Sequence, residues 1–222
     1  MTLANLEGRK TRTSRTRGLK KINENPGEWR LETPQSIISL IGITWFENLK
    51  TNKLIRIQCP FGQVGRELYG KETYTYVTLA EIDPWKDRAI SDGSFRRDKN
   101  GQPVTMIYRA DKVEIPASWA SPMMMPEWAS RYHIILEKII CQRIQDITEE
   151  DCIKEGVIFM GGMADDWDEA PWCASIKDQE PYKYPSAAFG RLWDSINLKT
   201  YPWSMNPWAW GLYYRVVKKE IR

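Results

Sequence analysis

The segment "RYHIILEKIICQRIQDI", Arg131 to Ile147, constrains the fold of this chain more than any other. Its β-branched and aromatic residues favour a strand. Apolar residues fall on both of its faces, which a flat strand with one solvated face does not require. A long strand bent within a small barrel accounts for both the length and the two apolar faces. Directly after it, "TEEDCIKEG" predicts a short helix. Thr148 is its N-cap, Asp151 the capping-box partner three residues on, and Gly156 its terminator.

The other elements fall around this pair. "SIISLIGITWFENL", Ser36 to Leu49, predicts strand pairing or a short buried hairpin around Gly42. The Thr/Tyr/Val alternation from Thr73 to Leu79 predicts a strand. In "SAAFGRLWDSIN", Phe189, Leu192, Trp193 and Ile196 recur on one helical face, with Ser186 as cap and Asn197 as terminator. "NPWAWGLYYRVV" places Trp208, Trp210, Leu212, Tyr214 and Val216 on one face of a closing strand. Residues 86–103 read as a surface loop and residues 158–187 as a long irregular excursion. The acidic run Asp165, Asp166, Asp168 and Glu169 reads there as a solvated loop. Met123 to Met125, between two prolines, reads as a hydrophobic plug. Strands outnumber helices and nothing repeats. The expected fold class is α+β: one domain over residues 1–222, a small mixed β-barrel flanked by two or three helices.

Charge narrows the function. The chain carries a net +3, yet its first 21 residues hold seven cations against Glu7 alone, a local +6 that leaves the rest at −3. "GRKTRTSRTRGLKK", Gly8 to Lys21, is therefore a local basic segment on a slightly acidic body, suited to an anionic ligand. Arg9, Arg12, Arg15, Arg17, Lys20 and Lys21 are the candidate nucleic-acid contacts. The 11 Trp and 10 Tyr supply core and leave some rings for base stacking. No run of about eighteen apolar residues and no apolar leader is present, so neither a membrane nor a secreted setting is expected, and a cytoplasmic one is. Cys59, Cys141, Cys152 and Cys173 form no C-x-x-C pair and have only His133 to join them, so reduced thiols are expected and no metal or cofactor is.

Three separated segments resemble one family. "GRKTRTSR" is similar to the G-x-K-x-x-T-x-R signature of ASCH domains, members of the PUA-like superfamily. "PEWASRYHIILEKIICQRIQDITEEDCIKEGV", Pro126 to Val157, resembles the strand-then-helix element of that family's phage-borne branch. "FGRLWDSIN" and "NPWAWGLYYRVV" resemble its last helix and closing strand. Residues 22–58 and 158–187 then stand as inserts. "VGRELYGKETY", Val64 to Tyr74, differs from the family's usual pattern, with Gly70 where a β-branched residue is usual.

The resemblance implies a PUA-like barrel, a phage or bacterial cytoplasmic setting, and RNA or a modified nucleoside as partner, held in a cleft lined by the signature. One ASCH subgroup hydrolyses N4-acylated cytidine with a Lys and a Thr of the signature and a Glu after the strand–helix element. Those roles fall on Lys10, Thr13 and Glu155. Chemically, a threonine hydroxyl needs a base to attack an amide, and a buried lysine can serve. Three readings follow: a binding module without turnover, an amidohydrolase or ribonuclease, and a structural or partner-binding phage protein. The extra cations Lys20 and Lys21 favour the first, as backbone contacts to a polynucleotide.

Overall fold

A computed structural model describes residues 2–78, 95–97, 103–111, 118–161, 171–175 and 180–218. The chain divides into two compact units. The first holds Leu3–Arg66 and Ile135–Arg215; the second holds Glu67–Ile134 and the chain from Val216.

The first unit opens with helix α1 (Thr2–Leu6), stopped at Gly8, whose φ of 74° is left-handed. Strand β1 (Arg12–Arg15) follows, then the single helical turn α2 (Lys20–Asn23). The basic segment is thus ordered. Leu19 and Ile22 are fully buried. Asn23 donates from Nδ2 to the Trp208 carbonyl at 2.9 Å and accepts from the Trp208 N–H at 2.8 Å, which ties α2 to the start of strand β12 (Trp208–Lys218).

Strands β2 (Trp29–Leu31), β3 (Ile43–Asn48) and β4 (Leu54–Gln58) form an antiparallel sheet in the order β2-β3-β4. Between β2 and β3 lies helix α3 (Gln35–Ile41), where the sequence predicted a strand or hairpin. Gly42, at φ 64°, ends it in the left-handed conformation. The helix is held by its side chains. Gln35 donates to the Cys141 carbonyl at 2.6 Å and accepts the Cys141 N–H at 3.0 Å, and Ser39 Oγ accepts the Ile139 N–H at 3.2 Å. It thereby satisfies backbone groups of β9 (Tyr132–Arg143) that would otherwise be orphaned.

Strand β9 is the long strand the sequence predicted, but it stops at Arg143 and a 3-10 turn takes Ile144–Asp146; its first three residues belong to the second unit and its last nine to the first. In the first unit the sheet order is β1-β12-β9. Helix α4 (Glu149–Glu155) follows as expected: Thr148 Oγ1 accepts the Asp151 N–H at 3.2 Å, and Gly156 closes it at φ 102°. Asp151 does not complete a capping box, because its carboxylate is engaged by Arg12 and Tyr213. Strands β10 (Ile158–Phe159) and β11 (Trp172–Cys173) pair antiparallel. Helix α5 (Pro185–Asn197) starts with Pro at its first position; Ser186 is no cap, since its hydroxyl donates to Glu149 at 2.6 Å. α4 and α5 enclose a core of Ile144, Ile147, Cys152, Val157, Ala188, Phe189, Trp193 and Ala209. Each large apolar side chain buried there contributes about 1.5–3 kcal/mol.

In the second unit, β5 (Glu67–Tyr69) lies beside the first residues of β9, and β6 (Tyr74–Thr78), β8 (Pro103–Tyr108) and β7 (Phe95–Arg97) form a sheet in that order. Gly70 is explained by its neighbour: a Cβ there would stand 2.1 Å from the Tyr132 ring. Met125 is buried among Tyr74, Met106, Tyr108 and Ala129, whereas Met123 and Met124 are exposed, so one methionine of the three is a plug. His133 Nδ1 pairs with Glu67.

The α+β class holds. Among the described residues the strands form four sheets, none of them closed into a barrel. The predicted strand to Leu79 is seen to Thr78, and most of the expected loop 86–103 lies outside the described residues, apart from β7 and Pro103. The acidic run from Asp165 to Glu169 also lies outside them. No described helix is long and apolar enough to cross a membrane. All four cysteines are free and buried.

Candidate functional site

The end of α4 and the start of β1 build one site. Backbone groups join them first: Thr11 N–H donates to the Lys154 carbonyl at 3.1 Å, while Lys10 N–H donates to the Ala4 carbonyl at 3.0 Å. Lys10 is thereby carried to the C-terminus of α4. Its ammonium donates to the Glu155 main-chain carbonyl and, at 2.9 Å, to Glu155 Oε2. A cation at that end complements the helix dipole and caps an orphan carbonyl.

Strand alternation sets the rest. Arg12 and Ser14 share the face toward α4. Arg12 Nη1 donates to Glu155 Oε1 at 2.9 Å and to Ser14 Oγ at 3.0 Å, and Ser14 Oγ donates to Glu155 Oε1 at 2.6 Å. Arg12 Nε lies 3.7 Å from Asp151 Oδ2, and the guanidinium sits 5.1 Å from the Tyr213 ring centroid. Tyr213 donates its hydroxyl proton to Asp151. Burial, together with that bond to a carboxylate, pushes the Tyr213 phenol up to about 12. The room for Arg12 comes from Gly211, paired with Ser14 across β1 and β12, where a Cβ would stand 2.7 Å from Nη2.

Lys10, Arg12, Ser14 and Glu155 are all buried, Arg12 completely. Burial pulls the Lys10 ammonium below the usual lysine range, and the Glu155 charge only partly restores it. Burial alone would raise Glu155, but Lys10 and Arg12 beside it, with the Ser14 hydroxyl, outweigh that and hold its carboxyl below the usual range. The carboxylate is therefore ionised at neutral pH, and Lys10 holds its proton less tightly than an ordinary lysine.

Lys10, Ser14 and Glu155 of this network line a cavity of about 290 Å³, while Arg12, Asp151 and Tyr213 lie behind them. Ser14, Arg15, Thr16 and Arg17 line one wall, and Phe189, Leu192, Trp193 and Ile196 of α5 line the other. The apolar face expected on α5 thus divides: Phe189 and Trp193 are buried, while Ile196 is 57% exposed.

Of the candidate catalytic residues, the structure brings Lys10 and Glu155 together and leaves Thr13 off that contact. Thr13 points to the opposite face of β1, where its Oγ1 is buried without a hydrogen-bond partner. The hydroxyl on Glu155 belongs to Ser14, whose signal in the sequence was only its two-residue spacing from Arg12. Of the candidate nucleic-acid contacts, Arg15, Arg17, Lys20 and Lys21 are exposed, and Arg9 is half-exposed and paired with Glu7. Arg12 is inside: its Nη1 is used on Glu155 and Ser14, and its Nε, 3.7 Å from Asp151, is buried without a hydrogen-bond partner. No group of three or more His, Cys, Asp or Glu side chains among the described residues is placed to hold a metal ion. No protein-family model, curated protein or solved structure matches the chain.

Proposed function

We propose that the protein binds single-stranded RNA or a modified nucleobase in the cleft between β1 and α5, as the ASCH resemblance implies. The PUA-like relationship, with its small mixed β-barrel and its phage or bacterial cytoplasmic setting, is part of the same proposal. One observation carries it: an ordered basic strand and turn face an apolar, tryptophan-bearing helix across a cavity of about 290 Å³. A nucleotide presents both complements, a charged phosphate for Arg15 and Arg17 and a flat apolar base for the α5 wall. At about 290 Å³ the cavity falls just below the usual range of ligand pockets, about 300–1,000 Å³, which suits one nucleotide unit rather than several. Fluorescence anisotropy with labelled pentauridylate tests the reading. Saturable binding, weakened at least tenfold by the double substitution Arg15→Ala and Arg17→Ala, supports it; no binding at low salt ends it.

A second reading, hydrolysis of N4-acylated cytidine, is favoured by the buried Lys10–Glu155 contact and the lowered Lys10 pKa. A lysine that releases its proton readily is a candidate general base. Incubation with N4-acetylcytidine separates the two: free cytidine supports turnover, whereas binding with no product leaves the module.

A further inference from the structure

We propose that Ser14 Oγ and Lys10 Nζ form a paired acceptor and donor on the cleft floor that recognises a ligand edge bearing an N–H beside a carbonyl, as uracil does. The inference rests on the nucleobase-binding reading of the cleft and names which chemical edge the cleft takes.

Hydrogen-bonding capacity decides which atoms of the pair remain for a ligand. A serine hydroxyl has one proton and two lone pairs. Ser14 gives its proton to Glu155 Oε1 at 2.6 Å and uses one lone pair to accept from Arg12 at 3.0 Å. One lone pair is left. A lysine ammonium has three protons. Lys10 gives one to the Glu155 carbonyl and one to Glu155 Oε2. One proton is left. Both residues line the same cavity. Ser14 holds one oxygen of the Glu155 carboxylate and Lys10 the other, which sets the spare acceptor beside the spare donor.

Their roles cannot be exchanged. Glu155 is ionised and accepts only, so the Ser14 proton is committed to it and the hydroxyl faces the ligand as an acceptor. Arg12 fixes the same polarity from the other side, because a guanidinium only donates. A ligand that offers an acceptor to Ser14 meets lone pair against lone pair. A ligand that offers N–H to Ser14 and C=O to Lys10 satisfies both. Leaving either group buried and unpaired forfeits a hydrogen bond that water no longer replaces, which is enough to discriminate.

The probes are pentauridylate and the same oligomer with 3-methyluracil at every position, which keeps every phosphate and removes each imide N–H. Wild-type protein should bind the methylated oligomer roughly tenfold more weakly at one fixed salt concentration. Ser14→Ala should lose that preference, and Ser14→Thr, which keeps the hydroxyl, should retain it. The wild-type comparison needs no variant, so a misfolded mutant cannot decide the matter. Equal, salt-dependent binding of both oligomers by the wild type would overturn this inference alone and leave the nucleic-acid reading standing. No binding of either oligomer would overturn both.

Discussion

Arg12 and Gly211 occupy one space: the guanidinium lies where a Cβ on residue 211 would come within 2.7 Å of Nη2. The glycine is needed for room, not for a special backbone angle, since Gly211 is not among the positive-φ glycines. Gly211→Ala should therefore displace Arg12 or Ile140, whose Cγ1 is also 2.7 Å from the added atom, and cost about 1–3 kcal/mol. Urea unfolding of the variant measures it. A change of only a few tenths of a kcal/mol would mean that Arg12 relaxes freely and does not fix Glu155.

Glu155→Gln tests the network from the other end. The substitution keeps the shape but leaves Lys10 and Arg12 buried with one carboxylate fewer. Removing one partner of a buried ion pair typically costs about 3–5 kcal/mol, because the remaining charge is uncompensated. The same denaturation experiment should show a loss in that range, larger than for Glu150→Gln, whose carboxylate lies on the surface with Lys154.

The pH dependence has a definite sign. The folded-state pKa of Glu155 is depressed, so its stabilisation is fully present above the unfolded carboxylate value of about 4.3 and is lost as pH falls through the lower folded value. Stability from this group should be flat from neutral pH to about pH 5 and decline below. In Glu155→Gln the acid decline should be shallower. An identical acid profile would assign the acid sensitivity to other carboxylates.

RNA binding should be salt-dependent with a limited slope. Arg15, Arg17, Lys20 and Lys21 are exposed, and Arg12 is withdrawn into the protein. Four phosphate contacts on a single strand give a log–log slope of about −3. Replacing Arg17, Lys20 and Lys21 by Ala should flatten it to about −1, and Arg12→Lys should leave the slope unchanged while lowering stability. A slope untouched by the triple substitution would place the polynucleotide contacts elsewhere.

Local signals carried much of the architecture. Thr148 and Gly156 bracket α4 because a cap hydroxyl and a left-handed glycine act within one turn of chain. Strand β9 and helix α5 were legible because their apolar periodicity is local too. Helix α3 was not: its isoleucine-rich run has strand-like propensity, and it becomes a helix where Gln35 and Ser39 meet the backbone of β9 about a hundred residues away. The same limit governs the site. The signature and the family resemblance pointed to Lys10 and Glu155, which are 145 residues apart and meet at 2.9 Å. Composition could count the seven cations of the basic segment but not tell Arg12 from Arg15. That distinction comes from the pleat of β1, which turns Arg12 and Ser14 toward Glu155 and Thr13 away, and from the glycine on the neighbouring strand that leaves a guanidinium room. A side chain's place in a strand pairing depends on which strand arrives beside it, and only the folded chain decides that.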